Sequence, residues 1–410
     1  MPWYHGWNIL AVGMLFQAIT FGVGIYCFTF WVAPWSIEFG VGRGDVMMVF
    51  LTMQVSMGAL APFAGHAMDR LSIRVLICCG AACMALGLVL SAMATAIWQL
   101  VVLYGTLMTT GMLLAGPLAA QTLTARWFSR RRGLALGIST VGTSLGGLTL
   151  PPLLTAMQAN LGWRDASLVL AIIVALSVLP LVWWVIRSSP AEAGLADADE
   201  LKPVGAATAS GAPAKIWTVA MVLREPAFWF MVGAFTLLVT AFGGAQQNLA
   251  PFALDQGIDA SDTAWLVSLM ALTMAVVKVF FGGLADRIDV RWLFTLAVGS
   301  LLIALTWMTT DLQYGEMALI CILLGIAAGA HLPLLATLVS HRFGVASFGK
   351  VMGLVGPFTT FGALGPWFAG YIRDDTGSYA LAWLVFAGLL VPALISMSML
   401  RPVAGHSGEK

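Results

Sequence analysis

The stretch that decides the fold is KVFFGGLADRIDVR, residues 278–291. Its second part has the spacing Gly-x-x-x-Asp-Arg-x-x-x-Arg, from Gly282 through Asp286 and Arg287 to Arg291. The same spacing occurs 217 residues earlier, in GHAMDRLSIR, residues 65–74. A motif that returns at this distance predicts a chain built from two similar halves.

The composition predicts a polytopic membrane protein. Of the 410 residues, 60% are hydrophobic and only 10% are charged, with 16 Trp and 22 Phe. A soluble domain with so few charges would lack polar side chains to cover its surface, so a lipid bilayer is the expected surrounding. The lack of a basic tract predicts no nucleic-acid partner. Cys79 and Cys83 share a helix face, but without a nearby His or acid they predict small buried residues, and we expect no metal and no cofactor.

Twelve apolar stretches of about 20 residues predict an all-α membrane protein, with twelve transmembrane helices in two pseudo-symmetric six-helix bundles. Repeats in the same orientation are typical of transporters that rock around a site between the halves. The predicted spans are 8–31, 46–67, 73–95, 98–125, 133–158, 165–187, 227–250, 263–285, 291–310, 316–340, 350–372 and 379–400. The predicted domains are an N-terminal bundle (1–187), a cytoplasmic linker (188–225), a C-terminal bundle (226–401) and a cytoplasmic tail (402–410).

The Lys and Arg residues are distributed unevenly between the two ends of these spans. Three fall at one end: Arg43, Arg164 and Arg373. Sixteen fall at the other: Arg70, Arg74, Arg126, Arg130, Arg131, Arg132, Arg187, Lys202, Lys215, Arg224, Arg287, Arg291, Arg342, Lys350, Arg401 and Lys410. Because cytoplasmic loops are rich in Lys and Arg, we expect a multi-pass protein of the cell (inner or plasma) membrane with both termini in the cytoplasm.

The doubled Gly-x-x-x-Asp-Arg-x-x-x-Arg loop resembles that of the major facilitator superfamily, and the resemblance covers nearly the whole chain. Within that superfamily, WFSRRRGLALG, residues 127–137, resembles a signature of the monocarboxylate porter and oxalate:formate antiporter families. Gly6-Trp7 before the first span and Glu38-Phe39-Gly40 after it are similar as well. Lys278 stands where these families place an Arg, and the resemblance implies that it binds an anionic substrate.

The chain departs from that pattern at three places. It has Lys278 instead of an Arg, and a lysine is a single point charge rather than a planar fork that grips a carboxylate. Animal members carry an Asp one turn before that Arg, where this chain has Met274, and a Lys in the first span, where it has Ile25-Tyr26. The substrate and the coupling ion therefore do not follow from the resemblance.

Lys278 is the one Lys or Arg that falls inside an apolar span. A cation near the middle of a bilayer costs roughly 2.5–3.5 kcal/mol on insertion scales, so it usually marks a substrate or ion pathway. All Asp and Glu residues fall in loops or at span ends, and a carboxylate substrate would complete the pair. A structural bond to a helix carbonyl, or snorkelling to the cytosol, are the alternatives.

Other polar residues in the spans are candidates for the same site. His331, in the middle of the tenth span, is either a second donor to the anion, a proton carrier or a neutral structural ring. Gln247 near the end of the seventh span, and Gln17, Thr20 and Tyr26 in the first, are expected either to line the access path or to hydrogen-bond between helices.

The repeated motif predicts a conformational latch on the cytoplasmic side. By resemblance, an acid at a helix end bonds the N-terminus of a facing helix and nearby arginines, and so stabilises one conformer. The alternative is that these charges only set the topology. The predicted latch residues are Asp69, Arg70 and Arg74 in the first half and Asp286, Arg287 and Arg291 in the second.

These patterns predict a secondary transporter, not an enzyme, that moves a small organic anion by alternating access. A monocarboxylate is the expected substrate, and proton symport and anion exchange both stay open, with protons as a second partner in the first case. We expect it to function as a monomer. The alternatives are an exporter of hydrophobic or amphipathic compounds and a metabolite-sensing receptor that does not transport.

Overall fold

The computed structural model describes residues 5–128, 132–187, 217–284, 288–344 and 347–400, without the side chains of residues 69, 132, 133, 282 and 349. The described residues form twelve long helical segments, which confirms the predicted all-α membrane fold. In chain order these are α1 (Gly6–Phe21, continued by a π-helical turn at Gly22–Tyr26), α2 (Arg43–Arg70), α3 (Ile73–Ala92), α4 (Ile97–Leu103, Tyr104–Met108, Thr109–Ala115 and Pro117–Trp127), α5 and α6 (the two arms of Arg132–Val185), α7 (Pro226–Gln247), α8 (Ala260–Leu284), α9 (Val290–Trp307), α10 (Tyr314–Phe343), α11 (Phe348–Thr360, Phe361–Ala363 and Leu364–Thr376) and α12 (Ala380–Ser398).

Two glycine-containing breaks explain why fewer continuous helices than predicted spans qualify as membrane-crossing. In the described part of the chain, ten helices are long and apolar enough to cross a membrane. The arms α5 and α6 count as one of these, because the turn between them is the single residue Gly162, with a φ of +79° that favours glycine. Helix α11 is not among the ten, since a 3-10 turn at Phe361–Ala363 divides it into two short pieces.

Local sequence signals fix where several helices begin. Pro226 occupies the first turn of α7, where its missing N–H is not needed. The Asp289 carboxylate caps α9 by accepting a hydrogen bond from the Arg291 N–H. Gln313 and Glu316 form a capping box at the start of α10.

The chain forms two compact units. The first comprises Met1–Gly40 and Thr52–Gly211, and the second comprises Val41–Leu51 and Ala212–Lys410. Helix α2 therefore begins in the second unit and continues in the first. Most of the predicted linker lies outside the described residues, but its last part forms a short helix, Val219–Arg224, capped by the Thr218 hydroxyl.

The exposed side chains include tryptophans close to helix ends. Trp98 and Trp265 lie near the starts of α4 and α8, Trp184 lies near the end of α6, and Trp292 lies in the first turn of α9. Tryptophan at such positions is typical of the aromatic belts where a membrane meets water. The prediction that Cys79 is buried is wrong, because its face of α3 is exposed.

Candidate functional site

The site is built on a close crossing of α8 and α10 in the second unit. A Cβ atom on Gly325 would lie 2.8 Å from the Met270 carbonyl oxygen, and one on Gly329 would lie 2.9 Å from the Met274 carbonyl oxygen. Larger residues at these two positions would push the helices apart. The sequence reasoning missed this pair of glycines, although their spacing of four residues is a recognisable signal for helix contact.

This crossing brings Lys278 and His331 together. Lys278 follows Val277, whose side chain packs against Gly329, and His331 lies two residues after that glycine. The Lys278 ammonium is close enough to interact electrostatically with the His331 ring. Sequence reasoning proposed both residues separately, whereas the packing of α8 on α10 makes them neighbours.

Lys278 projects from the inner side of α8. Met274 and Ala271, one and two turns before it, are buried, whereas Val276, Val279 and Phe280 are exposed on the other side of the helix. Lys278 itself is half-buried. The charge is therefore turned towards protein rather than towards lipid.

The His331 ring has one nitrogen that is available for a ligand. Its Nε2 atom is buried and has no hydrogen-bond partner among the residues that the structure describes. The ring packs against Phe235 of α7, with 5.6 Å between the ring centroids. An ammonium, an imidazole nitrogen and an aromatic ring thus occupy one region of the second unit.

The three polar candidates on α1 make hydrogen bonds within the first unit. Gln17 donates through Nε2 to the carbonyl and the hydroxyl of Ser139 on α5. The Thr20 hydroxyl donates to the Ala115 carbonyl on α4 over 2.9 Å, and the Tyr26 side chain hydrogen-bonds with Ser144 on α5. These contacts are of the kind that holds neighbouring helices together.

Two buried amide oxygens are left open by this packing. Gln17 Oε1 and Gln247 Oε1 are both buried, and within the described part of the chain neither has a hydrogen-bond partner. Buried polar atoms without partners are rare in folded proteins and call for an explanation, such as a ligand or water. Of the two, Gln247 lies in the unit that holds Lys278 and His331.

Comparison with known proteins identifies the family. The profile of the Major Facilitator Superfamily matches residues 14–258 and 248–410, which is nearly the entire chain. This chain belongs to the major facilitator superfamily.

Individual relatives of this facilitator agree with that assignment. It is 28% identical to human monocarboxylate transporter 11, over 81% of this chain and 70% of that protein. It is 26% identical to rat monocarboxylate transporter 13, over 94% of this chain and 86% of that protein. A crystal structure of a bacterial homologue of the human lysosomal transporter Spinster superimposes with a TM-score of 0.73 at 17% identity, covering 97% of this chain and 96% of that one. The protein is therefore a membrane transporter and not an enzyme, and the predicted resemblance to monocarboxylate porters is confirmed.

The motif residues of this facilitator are placed only in part. Asp286, Arg287 and the side chain of Asp69 lie outside what the structure describes, and Arg70 is exposed. Arg291 forms an ion pair with Asp289 at 2.8 Å and donates to the Leu400 carbonyl over 3.2 Å. The latch stays a prediction.

Two further contacts lie beside the first copy of the motif. The Arg74 guanidinium lies over the Trp183 ring, 5.9 Å from its centroid. Arg126, which was not among the predicted latch residues, donates to the Met68 carbonyl over 2.6 Å. The backbone next to Asp69 is thus held by an arginine of α4.

Proposed function

We propose that this transporter moves a small organic anion, a monocarboxylate, by alternating access, and that Lys278 binds its carboxylate. The observation that carries the proposal is the pairing of Lys278 with His331 at the glycine-lined crossing of α8 and α10. An ammonium turned inwards from a membrane helix attracts an anion strongly, because the local dielectric constant is low. The names of the relatives support the same substrate class.

The residues around Lys278 have distinct roles in this proposal. Lys278 supplies a single positive charge to one carboxylate oxygen. His331 offers its open Nε2 to the second oxygen when it carries a proton, and Phe235 supplies an apolar surface for the rest of a short substrate. Gln247 is a further hydrogen-bonding group in the same unit. His331 or the substrate itself carries a proton if transport is proton-coupled.

Uptake into proteoliposomes tests this proposal. We expect saturable uptake of radiolabelled lactate, pyruvate or formate, and no inhibition by uncharged lactamide. The Lys278→Ala variant should lose binding by about 10–150-fold, as expected for a hydrogen bond to a charged group. Lys350→Ala, which removes an exposed lysine near the start of α11, is the matched control. Unchanged uptake by Lys278→Ala would contradict the anion site and would favour export of hydrophobic compounds.

The driving force and the topology are tested in the same system. A pH gradient alone should drive uptake under proton symport, whereas a second anion on the opposite side should be required under exchange. With both termini in the cytoplasm, cysteines introduced as His341→Cys and Ser378→Cys should react with an impermeant reagent from opposite sides. Reaction of both from outside intact cells would overturn this topology. A single particle mass matching one chain would support a functional monomer.

A further inference from the structure

A group of charged side chains fastens the first turn of α2 to the second unit. The Nη1 and Nη2 atoms of Arg43 donate to the two carboxylate oxygens of Asp255, each over 2.7 Å. The same guanidinium donates to the Pro251 carbonyl and the Tyr379 hydroxyl, both over 3.2 Å. Arg373 binds Asp255 from α11 over 2.8 Å. A two-pronged arginine–carboxylate pair of this kind is stronger and more specific than a single contact.

Asp374 binds the backbone at the start of α2. Its Oδ1 accepts a hydrogen bond from the Arg43 N–H over 2.9 Å, and its Oδ2 accepts one from the Gly44 N–H over 2.7 Å. The first N–H groups of a helix lack partners within the helix and attract negative charge, so a carboxylate here stabilises the helix end. Arg43, Asp255, Arg373 and Asp374 together are called the Arg43 clamp below.

Glycines bring the two backbones of the clamp into contact. A Cβ atom on Gly44 would lie 3.1 Å from the Tyr371 Cα, and one on Gly370 would lie 3.0 Å from the Gly44 nitrogen. The first turn of α2 and the middle of α11 therefore touch without intervening side chains. The charged groups close around a contact that is already tight.

The first unit has no equivalent of this clamp among its described residues. The repeat spacing of 217 residues relates Asp255 to Glu38 and Arg43 to Ala260. Glu38 is bound by partners of its own unit, since Arg164 pairs with it at 2.6 Å and the Trp163 indole N–H donates to it. Asp255 instead recruits an arginine from α2, and α8 has an alanine where a matching cation would stand.

We propose that the Arg43 clamp is a releasable conformational lock of the transport cycle. Helix α2 is continuous from Arg43 to Arg70, yet only residues up to Leu51 belong to the unit that holds the clamp. A rearrangement that separates α2 from α11 at this end has to break all the bonds of the clamp together. The side chains of Arg43, Asp255 and Arg373 are 19–27% exposed, so water can hydrate the charges when they part. The lock holds whatever the substrate, and so it does not depend on the anion proposal.

Distances between spin labels test the lock in the full-length protein. Labels are attached to Met48→Cys on α2 and Asp375→Cys on α11, in a background where the five native cysteines are alanine. Double electron–electron resonance in lipid nanodiscs should show mostly short distances in the parent protein. Arg43→Gln should raise the ratio of long to short distances about tenfold, within the range typical of conformational coupling. Asp255→Asn should do the same, and the double variant should shift no further than either single one.

Matched variants separate a lock from general destabilisation. Arg164→Gln removes the corresponding ion pair of the first unit and should leave the distances unchanged. Asp374→Asn keeps every arginine pair and should shift the ratio only severalfold, which also serves if Arg43→Gln does not fold. Unchanged distances in both clamp variants, additive effects in the double variant, or an equal shift with Arg164→Gln would each overturn the proposal.

Discussion

The crossing of α2 with α4 in the first unit and the crossing of α8 with α10 in the second are built alike. A Cβ atom on Gly105 would lie 3.5 Å from the Ser56 Oγ, and one on Gly325 would lie 2.7 Å from the Thr273 Cβ. Ser56 and Thr273 are 217 residues apart, which is the spacing of the repeated motif. Both halves thus use a glycine on the fourth helix to seat the same position of the second helix.

The two crossings differ in their chemistry. By the same spacing Lys278 corresponds to Ala61, and the glycine pair relates His331 to Gly111. In the first unit Gly111 is packed against Met84 of α3, and the crossing carries a Thr109 hydroxyl bonded to the Met53 carbonyl over 3.2 Å. The repeated scaffold therefore supplies the geometry in both halves, and only one half adds a cation and an imidazole.

Moving the charge from one crossing to the other should have the largest effect. The double variant Lys278→Ala with Ala61→Lys keeps the net charge of the chain, but its lysine has no imidazole at the corresponding place. We expect transport to stay at least 100-fold below the parent, and insertion to be penalised by roughly 2.5–3.5 kcal/mol at the new site. Uptake and membrane yield are the measurements, and restored transport would show that the halves are interchangeable.

Overpacking the charged crossing should separate stability from binding. Gly329→Leu places atoms against the Met274 carbonyl and Val277, which should cost about 1–3 kcal/mol and move Lys278 away from His331. Gly105→Leu should cause a similar loss of stability in the first unit while substrate affinity is kept. Gly299→Leu on α9, where a Cβ meets nothing within 4 Å, is the control. Equal losses of affinity at Gly329 and Gly105 would contradict the assignment of the site to one half.

Removing the imidazole should have a smaller effect than removing the ammonium. His331→Gln keeps a hydrogen-bonding group but no longer accepts a proton near neutral pH, so we expect a loss of about 1 kcal/mol, or roughly fivefold in affinity. The ring contact with Phe235 is lost as well. Binding affinity measured across pH should be flatter in this variant than in the parent. A variant with the parent's affinity and pH profile would return His331 to a structural role.

The acids at the predicted outer ends of the two units should have the smallest effect near neutral pH. The Trp163 indole and the Arg164 guanidinium hold the pKa of Glu38 below its usual value. Burial raises the pKa of Asp255, but hydrogen bonds from Arg43 and Arg373 outweigh it and lower the pKa overall. A carboxylate with a lowered pKa stabilises the fold fully above its ordinary pKa of about 4, and this contribution is lost as the pH falls through the lowered value.

Thermal unfolding across pH checks this sign. Between pH 5 and 8 the difference in melting temperature between the parent and Glu38→Gln should be constant, and it should shrink below about pH 4. Asp255→Asn should behave alike. A difference that changes between pH 6 and 8 would show that other groups control the stability of these ends.

The sequence predicts the scaffold well because the bilayer imposes a simple requirement. Spans of about 20 apolar residues and a motif repeated after 217 residues are enough to predict twelve helices in two halves. Lys278 is also identified without a structure, since a charge inside an apolar span stands out.

Long-range partners could not be predicted from the sequence. Arg43 entered the sequence argument only as one of three charges at one end of the spans, although its ion pair joins residues 212 positions apart. Gln17 and Thr20 showed polarity but not direction, and the structure places their bonds on α5 and α4. Which side chains meet depends on how whole helices pack, and neither spacing nor hydropathy contains that information.

The short helix α9 and its tryptophan bear on the choice of lipid. Its 18 residues, Val290–Trp307, rise about 27 Å, slightly less than the roughly 30 Å hydrocarbon core of a typical bilayer. With Trp292 exposed in its first turn, the helix has little freedom to slide along the membrane normal. Thickening the bilayer with longer acyl chains should therefore strain this helix first, at a fraction of a kcal/mol for each ångström of mismatch. Lipid chain length is thus a variable that sets the working range of this transporter.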